Sequence, residues 1–452
     1  MVIMLTTRQK ISYGVCRLGT SLLLNIVTVF TFWAYKDMFE IPAELSGIGN
    51  AIGKIAIAIS GFVFGYLSDV IDPSKRKLGR RKFFIWTGAP LLAISFIMLF
   101  TPHLFIPVEQ QTMRFIWLII WNSMFHLFYG YLLMPYQAWY VEITNDDERI
   151  GVSAIQNISN LTASLIGAGY IIFISDFYGE TTKIEGIEGI WLLVFALVFA
   201  IIEVALFLPA LLTIKEKPVK FVKRNVWKEI KVTLKNRNYV IYMISFSIMW
   251  IGVIYVTALL LDFIHIILGF DTNAETLPFA AALFVSTILA YLFWTPIGNK
   301  IGKKKALAMS YGVLIIWIPL TPLIGKITFL PLAVQGYIFG IVAVFFIAPS
   351  FLLPYAIIGD IADKDERDTS LNRAGLYTGF KNIPINLGQA IGYIMAGFLS
   401  ALPDNFGLTW LGPISVVFLV AGLPIFLLGN FDPFMKKTEV SKNEEILENK
   451  KN

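Results

Sequence analysis

Long apolar stretches of about 20 residues recur along the whole chain, and they constrain its fold more than any other feature. A helix needs about 20 apolar residues to cross the hydrocarbon core of a membrane. Hydrophobic residues make up 56% of the sequence and charged residues only 15%, whereas soluble domains average about 25% charged residues. These proportions exclude a soluble globular protein and predict an all-α integral membrane protein. Twelve transmembrane helices are predicted, at 11–36, 46–69, 83–101, 113–140, 152–175, 190–213, 239–265, 276–299, 306–325, 329–356, 375–401 and 409–430.

Lysine and arginine residues gather in the connections on one side of these predicted spans, at 75–82, 214–238 and 300–305, and in the C-terminal tail. Few basic residues lie at or near the connections on the other side, namely Lys36, Arg114, Lys183 and Lys326. Because basic loops stay in the cytoplasm, the sequence predicts a multi-pass protein of the cell membrane with both termini cytoplasmic. The net charge of +6 does not indicate nucleic-acid binding, since the basic residues cluster at the ends of apolar stretches.

The predicted domain organisation follows from the same connections. The stretch 214–238 is the longest interior connection, and we expect it to be a cytoplasmic linker between two six-helix halves, 1–213 and 239–430. The tail 431–452 is rich in Lys, Glu and Asn, a composition typical of disordered segments. The sequence therefore predicts two membrane halves, a linker and a disordered cytoplasmic tail.

Two motifs occur twice, once in each predicted half. The basic turn GYLSDVIDPSKRKLGRRK at 65–82 returns as TPIGNKIGKKK at 295–305. Pro-Tyr, followed by an acidic residue and then by Asp-Glu-Arg, occurs at 135–149 and again at 354–367. The basic turns follow predicted helices two and eight, and the acidic motifs follow helices four and ten. This shared register indicates internal duplication, and parallel repeats of this kind are typical of the two pseudo-symmetric halves of the major facilitator fold.

The basic turn carries a hypothesis about gating. Asp69 ends the second predicted helix, and its carboxylate can pair with the guanidinium groups of Arg80 and Arg81. Such a pair would form a latch that holds the two halves closed in one state and breaks in the other. In the alternative interpretation, the arginines only set the topology and extend toward lipid phosphate groups of the membrane.

The acidic motifs carry a second gating hypothesis. Glu142 with Arg149, and Asp360 with Arg367 or Arg373, lie in connections that are otherwise basic. They would pair across the cytoplasmic gate. The alternative is that each carboxylate only neutralises a neighbouring arginine.

Ionisable residues inside predicted spans are expensive in a membrane and are candidates for function. They are Arg17, Lys54, His126, Glu203 and Lys381. Lys54 lies deep in the second predicted helix, so it requires a partner or a polar cavity. Glu203 is one possible partner, and Glu203 and Lys54 are the candidates for coupling. Alternatively, both residues pair locally and only stabilise the helix bundle.

Aromatic side chains crowd the fourth predicted helix beside polar amides. Tyr136 and Gln137 are neighbours there, with Trp139 and Tyr140 close by. Aromatic rings that stack on sugar rings, next to amide hydrogen bonds, would suit an uncharged polyol. Ordinary helix packing explains the same residues equally well.

Several of these motifs together resemble those of glycoside–pentoside–hexuronide:cation symporters, the melibiose-carrier-like branch of the major facilitator superfamily. The similar stretches are SYGVCRLG at 12–19, GYLSD and GRRK within 65–82, PYQAWYVEITNDDER at 135–149, and PYAIIGDIADKDERDTSLNRAGLYTGF at 354–380. The resemblance covers essentially the whole predicted membrane region. It implies twelve helices in two halves, alternating access around a central sugar cavity, and coupling to sodium, lithium or protons.

The resemblance also implies site residues, and most of the family's charged positions are neutral here. Lys54 matches an arginine of the second helix. Ser21, beside Thr20, stands where the family has an aspartate that binds sugar hydroxyl groups. Ile57, Gly61 and Leu133 stand where it has the aspartates of the cation site. Asn157 and Asn386 stand where it has an arginine and a lysine. Because a hard cation requires carboxylate oxygens, we expect no sodium site at these positions.

The sequence therefore predicts a secondary carrier for a small polar solute, a sugar or glycoside, that is proton-coupled or uncoupled. The alternatives are a carrier of a lipid-like or amphipathic solute and a non-transporting membrane sensor on the same scaffold. HExxH, GxSxG and Cys/His clusters do not occur, so an enzyme is not expected. The expected partners are the solute, protons and membrane lipids, without a metal or other cofactor.

Overall fold

The structure is a computed structural model, and it describes residues 5–70, 78–144, 146–179, 184, 186–216, 231–270, 272–369, 377 and 379–431. Within these ranges the chain forms helices joined by turns and short extended segments, and none of the residues lies in a strand. Eleven of the described helical segments are long and apolar enough to cross a membrane. The pair Pro403–Thr409 and Leu411–Leu427, bent by 44°, makes a twelfth span if it is counted as one. The all-α, twelve-helix prediction is confirmed.

The long helices follow the chain in order, with short helical turns between several of them. They are α1 (Thr7–Trp33), α2 (Ala43–Val70), α3 (Arg80–Leu99), α4 (Gln111–Ile143), α5 (Asp146–Gly179), α6 (Ile190–Thr213), α7 (Arg237–Ala258), α8 (Asn273–Ile301), α9 (Lys303–Trp317), α10 (Leu332–Ile347), α11 (Pro349–Thr369), α12 (Asn382–Ser400) and α13 (Leu411–Leu427). The tenth apolar span comprises α10 and α11 together, Leu332–Thr369.

The largest differences from the predicted spans lie at helix ends. The helix predicted to end at residue 356 continues as α11 to Thr369, and α4 continues to Ile143. Glu142 and Asp360 therefore lie on helices, not in the connecting loops where the sequence analysis placed them. Hydropathy predicts where the chain leaves the hydrocarbon core of the membrane. A helix of polar residues can continue from that point into the water outside the membrane, so the end of the apolar stretch is not the end of the helix.

Two of the predicted spans contain breaks in the regular helix. The helix expected over 239–265 ends at Ala258 and is followed by Leu260–Asp262 and the π-helical turn Phe263–Ile267. The long helix in the stretch 375–401 begins at Asn382. Both stretches are mostly apolar, with Asp262 in the first and Lys381 in the second, and average composition does not locate where the regular helix breaks.

The chain divides into two compact units. Unit 1 comprises Met1–Asn225, Val253–Ala280 and Asn382–Leu411, and unit 2 comprises Val226–Gly252, Ala281–Lys381 and Gly412–Asn452. The division at 214–238 stays a prediction. Most of the predicted linker, 217–230, and the tail from residue 432 lie outside the described residues.

In unit 1, α2 packs against both α4 and α12, while α1 packs against α5 and α6. Glycines permit the close approach of α2 and α12. A Cβ atom on Gly47 would lie 2.5 Å from the carbonyl oxygen of Tyr393, and one on Gly397 would lie 2.6 Å from that of Ala43. Small residues at such crossings allow the backbones of membrane helices to touch. The crossing therefore joins a helix of the predicted C-terminal half to one of the N-terminal half.

Candidate functional site

Lys54 of α2 lies where three helices of unit 1 meet. Its side chain is buried, with 4% of the residue exposed. The Nζ atom donates a hydrogen bond of 3.3 Å to Oγ1 of Thr28 on α1 and lies 5.8 Å from the ring centroid of Tyr393 on α12. The Tyr393 hydroxyl in turn donates to the carbonyl oxygen of Thr28 at 2.5 Å. The ammonium group is thus held between α1 and α12, as the charge of Lys54 requires inside an apolar bundle.

A polar pair from α4 reaches α2 directly beside Lys54. A Cβ atom on Gly53 would lie 2.5 Å from Nδ2 of Asn122 and 3.0 Å from Nδ1 of His126, so both side chains fill the space that this glycine leaves. His126 Nδ1 lies 2.9 Å from the carbonyl oxygen of Asn122, and Asn122 Nδ2 donates to that of Gly49 at 3.2 Å. Within the described residues, Nε2 of His126 and Oδ1 of Asn122 have no hydrogen-bond partner. Both side chains therefore retain a free polar atom.

Glu203 lies apart from Lys54. It is fully buried on α6 against α1, where a Cβ atom on Gly19 would lie 2.8 Å from the Cα atom of Glu203. Neither carboxylate oxygen has a hydrogen-bond partner among the described residues. Cys16, on the same helix as Gly19, donates from Sγ to the carbonyl oxygen of Leu206 at 3.3 Å. The pairing of Glu203 with Lys54 was wrong, because α6 packs on α1 and not on α2.

The positions implied by the resemblance do not all gather around Lys54. Thr20 and Ser21 are buried on α1, and the Thr20 hydroxyl donates to the carbonyl oxygen of Arg17 at 3.3 Å. Asn157 is exposed on α5. Asn386 on α12 is half-buried and donates to the carbonyl oxygen of Asn382 at 2.7 Å. As binding residues, all four stay predictions.

Tyr136 has a packing role in this structure. Its ring stacks on Tyr13 with centroids 4.5 Å apart, and its hydroxyl donates to the carbonyl oxygen of Tyr13 at 2.7 Å. Gln156 Nε2 donates to the same hydroxyl at 2.9 Å. The aromatic residue proposed to stack on a sugar therefore joins α4 to α1 and α5, while its neighbour Gln137 is half-buried.

The basic turn and the first acidic motif form one cluster, although the sequence analysis treated them separately. Glu142 Oε1 accepts hydrogen bonds from Arg80 Nη2 at 2.5 Å and from Arg81 Nη2 at 2.7 Å. Arg81 also donates to Ser68. The partner expected for Glu142, Arg149, instead lies on α5, where its carbonyl oxygen accepts from Tyr140. The partner expected for the arginines, Asp69, has its side chain outside the described part of the structure.

Glu216 completes this cluster. Its carboxylate accepts hydrogen bonds from the backbone N–H groups of Arg80, Arg81 and Lys82 at 2.9, 2.8 and 2.5 Å. These N–H groups belong to the first three residues of α3. At a helix N-terminus the backbone donors have no partner within the helix, and a negative charge is stabilised there. Glu216 is not predictable from the sequence, because nothing local shows that the end of α6 meets the start of α3.

Unit 2 contains a matching ion pair. Lys303 Nζ donates to both carboxylate oxygens of Asp360, at 2.7 and 2.6 Å. Arg367, one of the two partners expected for Asp360, lies two turns further along α11 and donates from Nε to the carbonyl oxygen of Asp363 at 3.2 Å. The other, Arg373, lies outside the described residues. As in unit 1, the acidic residue after Pro-Tyr meets the basic turn of its own unit. In this conformation Glu142 and Asp360 therefore pair with the basic turn of their own unit, and not across a gate as hypothesised.

A further ion pair in unit 1 involves the turn between α1 and α2. Lys36 Nζ lies 2.6 Å from Oδ2 of Asp262 and 3.1 Å from Oδ2 of Asp37, and Asp262 is buried. We call Lys36 and Asp262 the α1–α2 clasp. This pair was not predicted from the sequence, although a carboxylate inside the predicted span 239–265 was a usable signal.

Arg114 stabilises the connections at this same end. It is fully buried and donates to the carbonyl oxygens of Phe39, Ile106 and Ile184 at 3.0, 3.1 and 3.4 Å. These carbonyl groups belong to the α1–α2, α3–α4 and α5–α6 connections. One guanidinium group thus ties three connections together, a role that the sequence analysis did not assign.

Comparison with known proteins agrees with this architecture. The model of the family described as MFS/sugar transport protein matches residues 12–405, which is most of the chain. The chain belongs to this family. Its members are transporters, so the protein is not an enzyme, and it is a multi-pass membrane protein of the major facilitator type.

Relatives and solved structures lie at low sequence identity but cover nearly the whole length. An isoprimeverose transporter of Lactiplantibacillus pentosus is 24% identical over 86% of this chain and 79% of the relative. A putative sulfoquinovose importer of Salmonella typhimurium is 24% identical over 89% of this chain and 81% of the relative. The crystal structure of a D-xylose–proton symporter superposes with a TM-score of 0.65 at 15% identity, covering 94% of this chain and 98% of that one, which shows the shared fold.

Proposed function

We propose that the protein is a secondary carrier that moves a sugar or glycoside across the cell membrane by alternating access. Two relatives that match most of the chain are named for transport or import of isoprimeverose and sulfoquinovose. The family model that covers residues 12–405 is described as a sugar transport protein. Sugars offer several hydroxyl groups, and a carrier for them requires buried polar side chains between apolar helices.

The observation that carries the proposal is the buried polar cluster of Lys54, Thr28 and Tyr393. It joins α2 and α1 to α12, helices that the sequence assigns to different halves. Polar and charged groups within a membrane are expensive and mark solute pathways by default. A cluster that spans both predicted halves can bind a solute in one conformation and be rearranged in the next.

The ion pairs supply candidates for gates. In our proposal the N-terminus and the basic turns face the cytoplasm, as the positive-inside bias indicates. The α1–α2 clasp then lies at the outer face and is closed in this conformation, with Lys36 and Asp262 2.6 Å apart. Opening the outer face would break the clasp and separate α2 from α12.

Coupling is proposed to use protons or to be absent. In the described part of the chain no carboxylate lies within ion-pair distance of Lys54, and Ile57, Gly61 and Leu133 offer no oxygen-bearing side chains for sodium. Glu203 is a fully buried carboxylate without a hydrogen-bond partner among the described residues. A single carboxylate can carry a proton, whereas sodium requires several oxygen ligands. The competing role for Glu203 is to stabilise the contact of α6 with α1.

The test is solute uptake by the purified full-length protein in liposomes, with one ion gradient imposed at a time. We expect saturable counterflow of a sugar, accumulation driven by a proton gradient or no accumulation, and none driven by sodium alone. Glu203→Gln should keep counterflow and lose proton-driven accumulation. Glu109→Gln, an exposed carboxylate in the α3–α4 connection, is the control.

Three outcomes would contradict parts of the proposal. Absence of counterflow for every sugar tested would contradict the carrier function. Accumulation driven by a sodium gradient alone would contradict the coupling scheme. Unchanged proton-driven accumulation in Glu203→Gln would assign Glu203 to helix packing.

A further inference from the structure

Among the residues that the structure describes, Lys54 has no counter-ion. Its ammonium group has three hydrogen-bond donors, and the structure supplies one oxygen acceptor, Thr28 Oγ1 at 3.3 Å. The Tyr393 ring adds a cation–π contact at 5.8 Å, near the outer limit of about 6 Å for such contacts. A buried cation requires both charge compensation and hydrogen bonds. Both requirements are only partly met.

Several carboxylates of unit 1 form ion pairs with other residues. Asp262 pairs with Lys36, Glu142 pairs with Arg80 and Arg81, and Glu148 pairs with Lys10. Glu203 packs on Gly19 of α1 and forms no ion pair with Lys54. Within the described part of unit 1, no carboxylate compensates the charge of Lys54.

The surroundings of Lys54 fit an oxygen-rich anionic group. Asn122 and His126 border Gly53, the neighbour of Lys54 in the chain, and Nε2 of His126 is buried without a partner among the described residues. The Asn122 side chain offers a free amide oxygen beside it, suited to a sugar hydroxyl group. A cation next to neutral polar atoms can bind an anion and the hydroxyl groups attached to the same molecule.

We propose that Lys54 binds an anionic substituent of the transported solute, so that the preferred substrates are acidic sugars carrying a sulfonate or carboxylate group. This inference rests on the proposed sugar-carrier function. Tyr393 covers the ammonium group in the present conformation. The solute reaches Lys54 when α12 moves away from α2, and its anionic group then replaces the Tyr393 ring as the partner of Lys54.

The experiment compares matched sugars in liposomes that contain the purified full-length protein. Each neutral sugar is compared with an acidic counterpart. Glucose is compared with glucuronate and with 6-deoxy-6-sulfoglucose, galactose with galacturonate, and xylose with xylonate. Uptake rates give kcat/KM for each probe. We expect the anionic member of at least one pair to be preferred by about tenfold or more, the ratio that ~1.4 kcal/mol produces.

Variants of Lys54 separate recognition from folding. Lys54→Gln should remove the anionic preference mainly through KM and leave uptake of the neutral sugar measurable. Lys54→Arg keeps the charge and should retain the preference. Lys326→Gln, an exposed lysine between α9 and α10, is the matched control and should resemble the unmodified protein. Size-exclusion profiles in detergent establish that each variant is folded.

The outcomes distinguish the two proposals. Transport of neutral sugars with no anionic preference, unchanged in Lys54→Gln, would overturn the inference and leave the sugar carrier standing. Equal loss of neutral and anionic uptake in Lys54→Gln, not restored in Lys54→Arg, would also overturn it and assign Lys54 a structural role. Uptake of no member of any pair would overturn the carrier proposal together with the inference. A sulfonate-only or carboxylate-only preference that Lys54→Gln abolishes would support the inference and identify the anion.

Discussion

The basic turn before α3 and the basic turn before α9 are built on the same local plan. Gly79 and Gly302 precede their helices with φ angles of 84° and 95°, a region that glycine occupies without strain. The next residues, Arg80 and Lys303, are basic. Each pairs with the acidic residue that follows Pro-Tyr in its own unit, Glu142 in unit 1 and Asp360 in unit 2. The repeat noted in the sequence is thus a repeat of one three-part structure.

The two copies differ in how firmly the charges are held. In unit 1 two guanidinium groups share Glu142, and the side chains of Arg80 and Arg81 are 8% and 3% exposed. In unit 2 a single ammonium group pairs with Asp360, and the Lys303 side chain is 27% exposed. Guanidinium groups present planar forks of donors that fit a carboxylate, whereas an ammonium group is a hydrated point charge. The same charge pattern therefore encodes a rigid cluster in one copy and a looser pair in the other.

The largest expected contrast comes from neutralising the acid in each copy. Glu142→Gln removes the carboxylate that two buried guanidinium groups share and should lower the free energy of unfolding by about 3–5 kcal/mol. Asp360→Asn should cost less, about 1–3 kcal/mol, because Lys303 can turn toward water. Thermal unfolding of both variants in detergent measures the difference. An equal or larger loss in Asp360→Asn would contradict the comparison.

Replacing the two glycines should give the next largest effect. Alanine at either position is strained by about 1–3 kcal/mol, because φ is positive while ψ is extended, at 174° for Gly79 and 141° for Gly302. Gly79→Ala carries an additional clash, since its Cβ atom would lie 2.5 Å from a carboxylate oxygen of Glu216. We expect a lower unfolding temperature for Gly79→Ala than for Gly302→Ala. Gly312→Ala, inside α9 with open space around its Cβ position, is the control and should stabilise by about 0.5–1 kcal/mol.

Glu216 distinguishes the two copies at the helix start. Glu216→Gln should destabilise the protein by about 1 kcal/mol, because the side chain caps the first turn of α3 and its charge favours the helix dipole. The N-cap of α9, Gly302, makes no side-chain capping hydrogen bond. The exposed Glu109→Gln serves as the matched control, with an expected change within about 0.5 kcal/mol. If Glu216→Gln lowered the free energy of unfolding by no more than the control does, the Glu216 side chain would not stabilise the start of α3.

The smallest effect is expected from making unit 2 resemble unit 1. Lys303→Arg allows two parallel hydrogen bonds to Asp360 and should raise the free energy of unfolding by about 0.5 kcal/mol. The measurement is again thermal unfolding, and Lys326→Arg on the exposed α9–α10 connection is the control. A destabilised Lys303→Arg variant would show that this turn has no room for a guanidinium group.

Much of the fold and part of the candidate site follow from the sequence. The hydrocarbon core requires long apolar helices, so their number can be read from composition, and the repeated motifs indicate duplication. Lys54 is identifiable because a charge inside an apolar stretch is expensive. Gly79 and Gly302 are likewise visible as glycines beside basic runs. Each of these signals is local, because the membrane acts on every segment in the same way.

Partners were decided by the tertiary structure. Glu142 meets Arg80 across 62 residues of chain, Lys36 meets Asp262 across 226, and Tyr393 meets Thr28 across 365. Which side chains face one another at these distances depends on helix rotation, on crossing at glycines such as Gly47 and on where each helix ends. Composition and periodicity carry no information about helix rotation, helix crossings or helix ends. The sequence by itself therefore determined which groups need partners. Only the packing of α1, α2, α4, α6 and α12 decided which partners they have.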